Sequence, residues 1–162
     1  MRSVVLLCEH NEEGSFGLLL NKKFNLSLGE LVPELEKTDI PVFVGGPVQG
    51  DTLHFLHAYP QEIPGGIEVA DNIYWGGDFE MLKDYLKRNA LDITNIRFYL
   101  GYSGWGTNQL SDELESKSWI TTPAKRNIVF HKTPGDIWKD SLMLMGSNYS
   151  MMTNFPIDPQ LN

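Results

Sequence analysis

The sequence predicts an α+β fold: a mixed, partly barrel-like β-sheet wrapped by helices, in a single domain over residues 1–162. Three observations predict it. The 162 residues suit one domain and leave little room for two. Hydrophobic residues at 41% and charged residues at 21% are ordinary globular composition, enough to bury a core. Strand-like runs come first as hairpins and then alternate with helical stripes, which favours a mixed sheet over a doubly wound parallel one.

Taken in order, Ser3–Glu9 is a continuous apolar run, the pattern of a strand buried on both faces. Asn11-Glu12-Glu13-Gly14 is turn chemistry, and Phe16–Leu20 is the returning strand of a hairpin. Ser27 precedes Glu30 at capping-box spacing, so a short helix starts at Leu28 and Pro33 ends it early. Pro41–Val44 and Leu53–Tyr59 read as strands. In the second, alternation sets Leu53, Phe55 and His57 against His54, Leu56 and Ala58. Asp71-Asn72, between β-branched and aromatic residues, makes Ile67–Trp75 a second hairpin.

Asp78 caps a helix whose stripe is Phe79, Leu82, Leu86 and Ala90. Ile93–Tyr102 is a strand, broken by Gly101, Gly104 and Gly106. Asn108–Lys117 is a polar helix. Trp119–Thr122 and Asn127–His131 read as short strands. Thr133-Pro134 opens a last helix with Trp138, Leu142 and Met145 inward, and Gly146 closes it. The segment from Ser147 to Asn162, with Pro156 and Pro159, reads as extended.

Lys and Arg number 13 and Asp and Glu 21, so the net charge is −8. An acidic surface repels phosphate backbones and anionic membranes, so the expectation is neither direct nucleic-acid nor membrane binding. Lys83, Lys87 and Arg88 share a helix with Asp84, and no helix-turn-helix spacing appears. One cysteine, Cys8, rules out an internal disulfide and a cysteine-cluster zinc site, and a cytoplasmic location is expected. No apolar run reaches a membrane span, and the start lacks a cleavage site.

Catalytic spacings are incomplete. A nucleophile elbow needs Gly-x-Ser-x-Gly, whereas this chain has Gly101-x-Ser103-x-Trp105. A base for Ser103 would come from His10, His57 or His131. Gly45-Gly46 and Gly76-Gly77 could bring amides near an anion, but neither continues into a phosphate-loop pattern, and Asp78 competes for the amides that follow. His54 and His57 point to opposite strand faces, and Cys8 with His10 makes two ligands at most, so no metal site and no cofactor are expected. Asp112, Glu113 and Glu115 read as a solvated face. Met143, Met145, Met151 and Met152 crowd the last helix and tail, as adaptable surfaces do, though Met143 and Met145 read first as core filler.

Four segments in order carry a resemblance. They are Glu9-His10-Asn11 leading to Gly17–Asn21; Val44-Gly45-Gly46-Pro47-Val48 followed by Leu56-His57; Asp71–Tyr74 with Gly76-Gly77-Asp78; and Gly101-Tyr102-Ser103-Gly104-Trp105-Gly106 followed by Gln109-Leu110 and Trp119. With the ending Asp158–Asn162, the set resembles the AlgH-like (YqgE) family of bacterial proteins over nearly the whole chain. The resemblance implies a bifurcated or barrel-like mixed sheet. Members often carry the label of transcriptional regulator, without an established activity. Two features depart from the pattern: a leading segment before Ser3 is missing, and Lys22-Lys23 replaces Arg-Pro. The first carries the expectation of an unpaired strand edge, a route to strand addition or a homo-oligomer.

The expectation is therefore a non-catalytic binding or regulatory module for a protein partner or a small ligand, with a hydrolase or transferase using Ser103 and a histidine as the alternative. Its site would form where the turn after Glu9, the Gly45-Gly46-Pro47 loop and the Gly101–Gly106 loop converge. His10, Asn21, Gly45, Gly46, His57, Trp105 and Gln109 are the candidate ligand-binding residues, at positions taken from the family motifs.

Overall fold

The computed structural model describes residues 2–146. The expectation for Ser147–Asn162 lies outside them. Eight strands form one bifurcated, barrel-like sheet: β1 (Val5–Asn11), β2 (Gly14–Leu19), β3 (Lys23–Ser27), β4 (Pro41–Val44), β5 (Val48–His57), β6 (Ile67–Ala70), β7 (Ile73–Trp75) and β8 (Ile96–Trp105). Among the described residues five α-helices accompany them: α1 (Leu28–Leu31), α2 (Phe79–Lys87), α3 (Gln109–Glu115), α4 (Arg126–Val129) and α5 (Ile137–Leu144).

The main path runs β1-β2-β8-β5-β7-β6, all antiparallel, and β1 and β6 come into contact without laddering, so the sheet nearly closes. The bifurcation sits on β8. Opposite β5, one edge of β8 pairs parallel with β4 over Phe98–Leu100 and then antiparallel with β2 over Ser103–Trp105. The hand-over falls at Gly101 and Tyr102. There β4 leaves the ladder through Gly45, whose carbonyl accepts the Leu19 amide of β2 at 2.8 Å.

Both faces of the central sheet are covered. On one face Val42, Phe55, Ile96 and Phe98 pack against α1, α2, Leu35 and Ile63. On the other, Phe43, Leu56 and Tyr99 meet Leu6, Leu18 and Leu20 of the first hairpin and Ile128, Val129, Phe130 and Ile137 of the C-terminal helices. The alternation in β5 follows from this: Phe55 and His57 face the first core, and Leu56 the second.

Local signals are realised as side-chain caps. Ser27 and Glu30 form the capping box of α1. The Asp78 carboxylate accepts the Met81 amide at 3.0 Å. Asp71 and Asn72 both take positive φ, 44° and 58°, as the tight turn between β6 and β7 requires.

Several readings are corrected. β1 is not buried on both faces. It has one laddered neighbour, so Leu6 is buried while Leu7 and Glu9 are exposed, with an irregularity in register between Leu7 and Glu9. Lys23–Ser27, masked by its polar composition, is a strand paired with β4. Ile93–Asn95 is a 3-10 turn held by the Asp92 carboxylate, and β8 continues through Gly101 and Gly104 instead of breaking.

Trp119–Thr122 has no regular structure, and Arg126–Val129 is helical rather than extended. The Asp71 carboxylate accepts the Arg126 amide at 2.9 Å and supplies an N-terminal partner that no local residue advertises. At the last helix, Pro134–Asp136 is a separate 3-10 turn. Ile137, Ser141 and Leu142 form the buried stripe, and Trp138 is half-buried beneath the Arg2 guanidinium. Met143 is exposed rather than core.

Candidate functional site

Where β1 turns into β2, the Asn11 side-chain carbonyl accepts the Glu13 amide at 2.9 Å and shapes the turn. The turn is tied down from across the sheet, because the Thr107 hydroxyl donates to the Glu13 carbonyl at 3.2 Å. Directly across the hairpin, His10 faces Ser15, and their Nδ1 and Oγ share a hydrogen bond of 2.5 Å. Ser15 in turn pairs with Trp105 of β8. The first hairpin, the end of β8 and the start of α3 are thus fastened into one corner.

Two concavities flank this turn and share Asn11 and Ser15. The smaller, about 270 Å³, lies toward α3 and is lined by His10, Glu12, Gly106, Asn108, Leu110 and Ser111 among others. The larger, about 430 Å³, is a groove along β2 and β8, lined by Glu9, Glu13, Phe16, Val48, Tyr102 and Trp105. The rings of its aromatic wall pack on one another and on further rings. The Phe16 ring lies 4.8 Å from Trp75 and 5.9 Å from Tyr102, and Trp105 meets Trp119 edge-on at 6.0 Å. Behind Tyr102, His54 stacks with Trp75, and burial pushes its pKa down, favouring the neutral ring.

Of the residues singled out from the sequence, His10 and Trp105 line these concavities. Gln109 is adjacent, with its side-chain carbonyl accepting the Gly106 amide at 3.0 Å. The other four lie elsewhere. Asn21 joins the chain start to the end of β2: its carbonyl accepts the Val4 amide at 3.1 Å and its amide donates to the Arg2 carbonyl at 2.6 Å. His57 is fully buried, with both ring nitrogens on backbone groups of Gly76 and Tyr59.

Gly45 and Gly46 are buried where β4 crosses β8. A Cβ on Gly45 would lie 2.3 Å from the Gly101 carbonyl oxygen, and one on Gly46 would lie 2.1 Å from the Tyr102 carbonyl carbon. Their small size serves this crossing. Only Val48, just beyond, reaches the groove. The Gly45-Gly46 loop thus packs on the backbone of β8 at Gly101–Ser103, while the β1–β2 turn and Trp105 border the open groove.

Ser103 sits at the packed end, and its hydroxyl donates to the Gly45 carbonyl at 3.1 Å. The imidazoles offered as its base are engaged elsewhere: His10 with Ser15, His57 with Gly76 and Tyr59, His131 with Asp140 at 2.5 Å and the Thr133 amide at 2.8 Å. The hydroxyl–imidazole pair that does form, Ser15 with His10, escapes a reading that begins the second strand at Phe16. Starting it at Gly14 would have set the two opposite each other. Among the described residues no group of three or more His, Cys, Asp or Glu side chains could hold a metal ion, and no helix is long and apolar enough to cross a membrane.

Comparisons with known proteins agree with this architecture. A family model described as AlgH-like matches residues 1–150. A protein of Cytophaga hutchinsonii is 44% identical over 162 residues, covering 99% of this chain and 89% of its own length. One of Chlorobium limicola is 40% identical, covering 99% and 86%. Both carry the name UPF0301 protein. The solution structure of AlgH from Pseudomonas aeruginosa superposes with a TM-score of 0.75 at 27% identity, over 96% of this chain and 85% of that one. A crystal structure from Corynebacterium diphtheriae, 22% identical, shares the fold with a TM-score of 0.77 over 94% and 82%. On the family match and these identities, the chain belongs to the AlgH-like family.

Proposed function

We propose that the protein is a non-catalytic binding module that takes an extended segment of a protein partner in the groove between the β1–β2 turn and the end of β8. One observation carries this reading: a continuous corner in which two concavities share Asn11 and Ser15, with an aromatic wall packed on further rings. A preformed wall limits the ordering cost of binding, and an open groove beside a strand suits an extended chain better than a small molecule needing enclosure. A regulatory role would act through this protein contact, since a chain of net charge −8 is poorly suited to hold DNA directly. The alternative using Ser103 gains no support from a hydroxyl engaged with the Gly45 carbonyl.

The test is a peptide array probed with the purified chain, followed by mapping of amide chemical shifts. The expected result is that retained peptides shift the amides of Phe16, Tyr102, Gly104 and Trp105. Peptides that map to another face, or an array that retains nothing, would overturn the reading.

A further inference from the structure

Charge and aromatic surface meet at the groove in a way that specifies its occupant. Glu9 and Glu13, both exposed, line the groove, and Glu12 lines the cavity next to it. Neither lining includes a Lys or Arg, and among the described residues no cationic side chain pairs with these three carboxylates. One Glu9 oxygen accepts the Asn11 side-chain amide at 2.9 Å, which orients that carboxylate. Helix α3 supplies Leu110 and Ser111 to the smaller cavity and bears Asp112, Glu113 and Glu115, extending the negative field. Phe16, Tyr102 and Trp105 line the same groove.

We infer that the groove selects cationic segments, taking an arginine side chain of the partner over the aromatic wall with its guanidinium against Glu9 and Glu13. The inference rests on the groove being the peptide site. Aromatic faces attract cations, most strongly where water is displaced. A planar guanidinium can stack on a ring while donating along its edge to carboxylates, which a compact ammonium does less well. The net charge of −8 adds long-range attraction for a basic partner and repulsion for an acidic one.

The experiment compares three capped hexapeptides of one pattern, differing only in carrying two Arg, two Gln or two Glu. Each is titrated into the full chain by calorimetry and by amide-shift mapping, at low and high salt. The Arg peptide should bind about tenfold tighter than the Gln peptide, lose that margin at high salt, and shift the amides of Phe16, Tyr102 and Trp105, while the Glu peptide should not bind. Glu9→Gln with Glu13→Gln, which keeps the shape and the Asn11 contact, should erase the Arg preference at an unchanged melting temperature. Equal binding of the Arg and Gln peptides in the groove would overturn the cationic preference and leave the groove reading standing. If none of the three moves the groove amides, both fall.

Discussion

The Nε2–H of His57 donates to the Gly76 carbonyl at 2.7 Å, while its Nδ1 accepts the Tyr59 amide at 3.1 Å, inside a fully buried site. Only the neutral ring satisfies both bonds, because the cation has no acceptor nitrogen. Burial pushes the His57 pKa down, with the Gly76 bond opposing, and burial pushes His54 the same way. The unfolded chain therefore takes up protons first as pH falls through about 6.5, and stability declines below that pH until the folded-state value is passed. Melting temperature should hold from pH 8 to 7 and fall from 6.5 toward 5. His57→Gln, less stable throughout, should show a shallower fall; an identical slope would contradict this assignment.

At the crossing of β4 and β8, Gly46→Ala would force a methyl into the Tyr102 backbone, which cannot retreat without opening the sheet at its branch point. Urea denaturation should show a loss above about 3 kcal/mol, or no folded protein. Gly50→Ala, with nothing within 4 Å of the new carbon, should change stability little. Comparable losses for the two would sink the packing argument.

Asn21→Ala removes an acceptor from the Val4 amide and a donor from the Arg2 carbonyl, at the point where the chain start meets the end of β2. A loss of about 1–2 kcal/mol by chemical denaturation is expected. Unchanged stability would show that these bonds contribute nothing and return Asn21 to the ligand candidates.

Cys8 is half-buried, and its thiol donates to the Leu6 carbonyl at 3.6 Å. Burial pushes its pKa up to about 12, so the reactive thiolate is scarce at neutral pH. A disulfide exchange reagent should label the native chain far more slowly than the urea-unfolded chain. Immediate native labelling would contradict the assigned environment.

The legible parts of this fold are those whose cause lies within a few residues. Ser27 with Glu30, Asp78 with Met81, and Asp71-Asn72 are local devices, and each works as its spacing suggests. The illegible parts have distant causes. Asn127–His131 has strand composition, yet the Asp71 carboxylate starts a helix there from 55 residues away. Gly101 looks like a strand breaker, but with φ at 69° it lets β8 change partners and continue. The same holds at the candidate site. His10 and Trp105 could be picked from motif positions. Glu9 and Tyr102 appear in those motifs, but their convergence with Phe16 around one groove depends on the register of three strands.

If the crossing at Gly45-Gly46 is structural and the groove beyond it takes a partner, a side chain added inside the groove should block binding without unfolding the protein. Gly104 lines that groove, and a Cβ there would meet only side-chain atoms, the Tyr102 ring at 3.3 Å and the Val48 methyl at 3.8 Å. The most direct measurement is calorimetric titration of Gly104→Val with a peptide that binds the parent chain, alongside its melting temperature. A melting temperature within about 5 °C of the parent, with binding lost or reduced at least tenfold, is the expected result. Parent-like affinity in a folded Gly104→Val protein would contradict the groove as the partner site.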